Sequence, residues 1–173
     1  MLDIRPEKPS EFEKILEINN LAFGQENEGK LVSLIRTSPH FIPTLSLVAE
    51  KDGELSGHIL FSEVMIETSQ GTTVNTIGLA PMAVKPDFQN QGIGSALVNA
   101  GLERCKELGY GHVVVLGHPE FYPRFGFEPS VKFGIKPPFP VPENVFMALE
   151  LTKGALSGIE GAVRYPPAFS EVS

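Results

Sequence analysis

LAPMAVKPDFQNQGIGSALV, residues 79–98, joins an apolar run to an amphipathic one through two closely spaced glycines and almost no linker. Leu79–Val84 ends a predicted strand running from about Thr73 to Val84. Gly92 and Gly94 open a predicted helix that reaches about Leu108. Its apolar stripe is Leu97, Val98, Gly101, Leu102, Cys105 and Leu108, while Ser95, Asn99, Glu103 and Lys106 face elsewhere. Gly109 and Gly111 stop the helix, and HVVVLG (112–117) follows as a short buried strand. The helix is therefore the crossover of a β-α-β unit, which implies two neighbouring parallel strands.

Outward from this unit the pattern is a meander. A first strand is expected at Leu2–Arg5. Ser10 and Glu13 then form a capping-box pair ahead of a helix whose buried face carries Phe12, Ile15, Leu16, Asn19 and Phe23. A second helix is expected over roughly Glu28 to Arg36. Strands follow at Ser46–Glu50 and Leu55–Ile66, joined at Lys51-Asp52-Gly53, since Asp-Gly between two such runs is a hairpin signal. Downstream lie FYPRFGF (121–127), a proline-rich flap GIKPPFPVPE (134–143), a strand near Val145–Leu151 and a tail GAVRYPPAF (161–169). The reading is one domain over residues 1–173, with a core of about 1–151 and a C-terminal extension of 152–173.

Bulk properties narrow the function. Net charge is -7, with 14 basic against 21 acidic residues and no basic run. A nucleic-acid partner needs a basic patch to displace counterions, so none is expected. A cationic small molecule or a peptide amine suits the charge better. No apolar run approaches a membrane span, and MLDIRPEKPSEFEK is acidic and polar where a signal peptide is basic and then apolar. The expected location is cytoplasmic. A single cysteine, Cys105, excludes an internal disulfide, and His40, His58, His112 and His118 show no metal-ligand spacing, so no metal is expected. A homodimer is compatible with the chain, and nothing in it decides the matter.

The glycines have a chemical use. N–H groups at a helix N-terminus, with about half a positive charge from the helix dipole, make an anion site. Gly92 and Gly94 lack a Cβ and let a phosphate approach the backbone, while Gln89, Asn90, Gln91 and Ser95 add side-chain donors. The expected ligand is a diphosphate. A Walker loop needs Gly-Lys-Ser/Thr, and Gly94 is followed by Ser95-Ala96. A dinucleotide fingerprint needs a third glycine, where this chain has Leu97. Q-x-x-G-x-G, read as Gln89, Gly92 and Gly94 after a strand ending Ala83-Val84, is the remaining pattern. Mid-strand Pro81 marks an edge or a bulge.

On these residues the chain resembles the GCN5-related N-acetyltransferases, and the segments 79–98, VVVLGHPEFYPRFGF and VPENVFMALEL…RYPPAF look closest to the bacterial YhbS-like branch. The resemblance covers nearly the whole chain. It implies an α/β fold with a mixed sheet, an antiparallel meander plus one β-α-β crossover whose parallel strands splay apart. It also implies acetyl-CoA as cosubstrate, its pyrophosphate on Gln89, Asn90, Gln91, Gly92, Ile93, Gly94 and Ser95 and its pantetheine arm on Met82, Ala83 and Val84. Tyr122 takes the position that donates to the CoA sulfur. Where the family commonly has an asparagine about seven residues before that tyrosine, this chain has Gly117-His118-Pro119.

The implied reaction is acetyl transfer from acetyl-CoA to a primary amine, by direct attack in a ternary complex. The alternative is a non-catalytic CoA- or acyl-CoA-binding regulatory module, and a more distant rival is an unrelated nucleotide-binding domain. A lysine-like amine of pKa about 10.4 is neutral about once in 2,500 molecules at pH 7, a deficit of about 4.6 kcal/mol. A base or a less basic amine can reduce it. Glu26, Glu28, Glu50 and Glu63 are the carboxylates near the expected acceptor side, and none is singled out as base. Cys105 lies on the apolar stripe and reads as a core residue. The flap either walls the acceptor pocket or bridges two strands.

Overall fold

The computed structural model describes residues 1–171; Val172 and Ser173, the end of the expected extension, lie outside the described residues. Strands β1 (Leu2–Pro6), β2 (Ser46–Lys51), β3 (Glu54–Thr68), β4 (Thr73–Val84) and β5 (His112–Leu116) form most of one sheet. Helices α1 (Phe12–Phe23) and α2 (Asn27–Arg36) precede the meander, and α3 (Ile93–Glu107) is the crossover from β4 to β5. Short strands β6 (Glu128–Pro129), β7 (Ile135–Lys136), β8 (Phe146–Glu150) and β9 (Gly161–Arg164) complete the sheet. Its order is β1-β2-β3-β4-β5-β8-β6, and β9 pairs with both β3 and β7.

The β2–β3 hairpin turns at Asp52 and Gly53, both at positive φ (51° and 85°), as a tight Asp-Gly hairpin requires. β4 and β5 run parallel over only three pairs, Ile77–Val113, Gly78–Val114 and Leu79–Val115. Beyond Leu79, β4 continues to Val84 beside β3 with no strand partner on its β5 side among the described residues. Pro81 accounts for both features. Opposite it the β3–β4 register slips between Ile59 and Phe61, a bulge that leaves β4 free to bend away.

Each face of the sheet has its own core. α3 lays Leu97, Val98, Leu102 and Cys105 on Leu47, Ile59, Phe61, Ile77 and Val113. On the opposite face Ile15, Ile18, Leu31, Val32 and Ile35 of the first two helices cover Val48, Leu60 and Ala83. Leu108, expected in the α3 stripe, is half exposed because it lies past the last helical turn.

Three details of the first and last segments differ from the sequence expectation. The cap before α1 is not Ser10/Glu13: a short 3-10 turn, Pro9–Glu11, intervenes, and the Lys8 N–H donates to Glu11 Oε1 at 2.8 Å. Glu11 is fixed there by a bidentate pair with Arg5, which also holds its carboxyl below the ordinary range. The buried face of α1 is Ile15, Ile18 and Asn19, while Phe12, Leu16 and Phe23 are partly exposed. The stripe expected from the sequence centres on the aromatics and leaves out Ile18. Finally, the tail contributes β9, which pairs Gly161–Arg164 with Met65–Thr68.

Candidate active site

Where β4 and β5 part, a cleft of about 550 Å³ opens between β4, the start of α3 and the turn Tyr122–Phe125. Its floor is Met82, Ala83 and Val84; its far end is Phe88, Gln89, Asn90, Gly92, Ile93, Gly94 and Ser95. The near wall is His118, Phe121, Tyr122 and Arg124, and the end of α1 closes it with Ala22 and Phe23.

The far end presents open donors. Asn90 and Gly92 take positive φ (64° and 81°), which swings the chain abruptly into α3. The first bond of the helix is Ala96 N–H to Gly92 O at 3.0 Å. Among the described residues, the N–H groups of Ile93, Gly94 and Ser95 therefore donate to no carbonyl, which is the anion-ready state of a helix N-terminus. A Cβ at Gly94 would meet only Met82 and Phe121 side-chain atoms at 3.5 Å and beyond. The protein's own packing therefore does not require glycine at this position.

Nine of the ten residues expected on the cofactor line the cleft. Gln91 does not: its amide donates to the Asp87 carbonyl and its oxygen accepts from Lys51, both away from the cleft. Gln89 serves locally, donating to the Val84 carbonyl at 3.1 Å, and so ties the loop to the splayed strand.

Tyr122 is 6% exposed and packs edge-on to Phe121 and Phe127. Gly117, in the Gly117-His118-Pro119 stretch where the chain departs from the family pattern, has a packing role. A Cβ there would stand 2.3 Å from the Tyr122 ring. The Tyr122 hydroxyl has no protein hydrogen-bond partner among the described residues, and burial pushes its pKa up to about 12. It stays protonated across the physiological range and is available as a donor. His118 accepts at its carbonyl from the Phe121 and Tyr122 N–H groups, at 3.1 and 3.3 Å, and so anchors the turn that presents the tyrosine.

Residues 3–130 match the family described as Acetyltransferase (GNAT) domain. The chain belongs to the GNAT acetyltransferase family. It is 36% identical to the Escherichia coli K12 protein described as "Uncharacterized N-acetyltransferase YhbS", over 96% of this chain and 98% of that one. The crystal structure of E. coli YhbS in complex with CoA superposes with a TM-score of 0.89 at 34% identity, covering 98% and 92% of the two chains. A Brucella melitensis GNAT acetyltransferase in complex with acetyl-CoA gives 0.79 at 31% identity, covering 98% of each.

This GNAT domain is thus an acyltransferase, and its remaining polar groups sort by what they touch. None of Glu26, Glu28, Glu50 and Glu63 lines the cleft. Glu26 pairs with Lys30 at 3.7 Å, Glu28 accepts from Gln25 at 3.0 Å, Glu50 from Arg5 at 2.8 Å and Glu63 from Tyr110 at 3.4 Å. Cys105 is fully buried, its thiol pushed up to about 12. The flap residues 134–143 lead from β7 toward β8, with Val141 packed against the buried cluster of Val64, Ile66, Val114, Phe146 and Val163, and none lines the cleft.

Sequence reading missed Ala22, Phe23, Phe88, Phe121 and Arg124. Phe121 and Arg124 flank Tyr122 and form a cation–π pair, guanidinium to ring centroid 5.6 Å. Their place in a turn beside the tyrosine was the available signal.

Behind the cleft's α1 wall lies a buried polar chain. Asn19 Nδ2 donates to the Ile15 carbonyl at 3.0 Å and faces His58 Nδ1 at 3.3 Å, and His58 Nε2 faces Ser46 Oγ at 2.9 Å. Ser46 in turn donates to Glu7, which takes a two-point pair from Arg36 at 3.0 Å. These donors fix the proton of neutral His58 on Nε2. Burial, seconded by Arg36, lowers its pKa to about 3. Glu7 lies only 3.9 Å from Nε2 but is already neutralised by Arg36.

Proposed function

We propose that this domain transfers acetyl from acetyl-CoA to a primary amine by direct attack in a ternary complex. The observation that carries the reading is the parting of β4 from β5 at Leu79, beside an open helix N-terminus, with an unbonded tyrosine hydroxyl on the facing wall. The diphosphate sits on the N–H groups of Gly92, Ile93, Gly94 and Ser95, with Asn90 beside them. The pantetheine amides pair with the unpartnered edge of Met82, Ala83 and Val84, taking the place of a missing strand. That CoA and acetyl-CoA occupy the similar structures supports this placement.

The acceptor nitrogen attacks the thioester carbonyl carbon; an N–C bond forms, the C–S bond breaks, and sulfur leaves with the electron pair. The amine loses its proton to water, and CoA is released as the thiol. Tyr122, held near pKa 12, is about 3.5 units weaker as an acid than a thiol of pKa about 8.5. Its role is therefore a hydrogen bond to the departing sulfur rather than complete proton transfer. Arg124 lies on the same wall, where its charge favours the anionic cosubstrate.

Calorimetric titration with acetyl-CoA tests the reading, with ATP and NADH as controls. Saturable binding of acetyl-CoA alone, followed by amine-dependent thiol release, is the expected result. Binding without release on any amine would leave a CoA-holding module, and no binding to folded protein would remove the assignment altogether.

A further inference from the structure

The net charge of -7 suggests a cationic acceptor, but the cleft is built otherwise. With the open end of α3 given to the diphosphate, the wall left for an acceptor is Ala22, Phe23, Phe121 and Tyr122, and among the described residues its one formal charge is the Arg124 cation. Phe23 is 41% exposed at the end of α1, held there by Gly24, whose φ of 65° turns the chain out of the helix. The carboxylates that could have received an ammonium are engaged outside the cleft, Glu26 by Lys30 and Glu28 by Gln25. Against such a wall an ammonium loses water and gains no counter-charge, while the neutral amine loses little.

We infer that the acceptor is the α-amine of a peptide whose first side chain is apolar, rather than a polyamine or a lysine side chain. The inference rests on the transfer reading above. Peptide α-amines have pKa about 7.7–8.0 against about 10.4 for lysine. At pH 7.5 roughly a third of the former are neutral, and about one in 800 of the latter. An α-amine thus arrives largely ready to attack, with water taking its proton. Its apolar side chain rests on Phe23 and Ala22, and the peptide continues outward past the α1 end.

The test measures thiol release with acetyl-CoA at pH 7.5 over four acceptors: hexapeptides beginning with Ala and with Met, spermidine, and Nα-acetyl-lysine amide. Acetyl-CoA binding is measured separately by calorimetry. The expected result is a kcat/KM for the peptides at least tenfold above that for spermidine or the lysine derivative. Phe23→Glu should move the peptide-to-spermidine ratio at least tenfold toward spermidine, and Phe23→Gln should not. Equal or better use of spermidine or lysine overturns the inference, as does an unmoved ratio in Phe23→Glu. Acetyl-CoA binding without turnover on any of the four also overturns it while leaving cofactor binding intact. Failure to bind acetyl-CoA removes the transfer reading itself, a separate result.

Discussion

At Gly101 a Cβ would stand 2.0 Å from the Phe61 ring, whereas at Gly94, two turns earlier on the same helix, it would meet nothing nearer than Met82 at 3.5 Å. One glycine is required by the fold, because α3 cannot otherwise lie on β3. The other is required by no clash inside the protein, since a methyl group there would sit in ordinary contact with Met82 and Phe121 at the edge of the cleft. The same division separates two buried polar side chains. Both ring nitrogens of His58 face hydrogen-bond partners within the protein, while the Tyr122 hydroxyl has none among the described residues. The His58 ring is held by the fold on both sides, and the Tyr122 hydroxyl is left open toward the cleft.

The comparison can be broken by experiment, most forcefully at Gly101. Gly101→Val should cost about 3 kcal/mol of stability through overpacking against Phe61, read as a lower urea midpoint at unchanged slope. A variant as stable as the parent would show that the helix has room to shift. Acidification comes next. With His58 near pKa 3 when folded and about 6.5 when unfolded, the unfolded chain binds the extra proton below about pH 6.5. Stability present above that pH then falls by as much as about 1.4 kcal/mol per unit down to about pH 3. Between pH 7 and 5 a loss of about 2 kcal/mol is expected from this group, and His58→Gln should show a shallower decline. His112, also lowered by burial, contributes with the same sign in both proteins.

On the open side of the comparison, Tyr122→Phe should lower kcat at least about tenfold, or about 1.4 kcal/mol, with acetyl-CoA affinity within twofold. An unchanged kcat would remove the hydroxyl from the chemistry. The smallest effect is expected at Gly94. Gly94→Ala should leave thermal stability equal or slightly raised, as alanine favours the helix, yet weaken acetyl-CoA about fivefold. Weakened folding with intact binding would reverse the roles assigned to the two glycines.

Most of the frame was legible because its signals are local. Asp52-Gly53 can form a tight hairpin turn, Gly92 and Gly94 mark a helix start, and HVVVL has the buried pattern of a central parallel strand. Mid-strand Pro81 signals an edge or a bulge, and the fold has both, a bulge toward β3 and, among the described residues, an unpaired edge toward β5. What escaped depends on distant partners. Gln91 looked like a phosphate donor until Lys51 and the Asp87 carbonyl, placed by the fold, turned it away. Phe23 looked like core until the helix ended at Gly24 with its ring over the cleft. Gly117 lies where the sequence departs from the family pattern, and only the folded position of the Tyr122 ring explains it. β9 escaped because its partner, Met65–Thr68, lies far back along the chain.

That last pairing bears on the order in which the molecule is assembled during synthesis. β2 covers one stretch of the β3 edge, from Glu54 to Leu60, and β9 covers the stretch from Met65 to Thr68 on that same edge. While the ribosome is still adding residues short of Arg164, the second stretch stays uncapped, with main-chain groups facing solvent beside an already formed meander. A nascent chain stalled after β8 therefore carries a sticky sheet margin that the finished protein has closed.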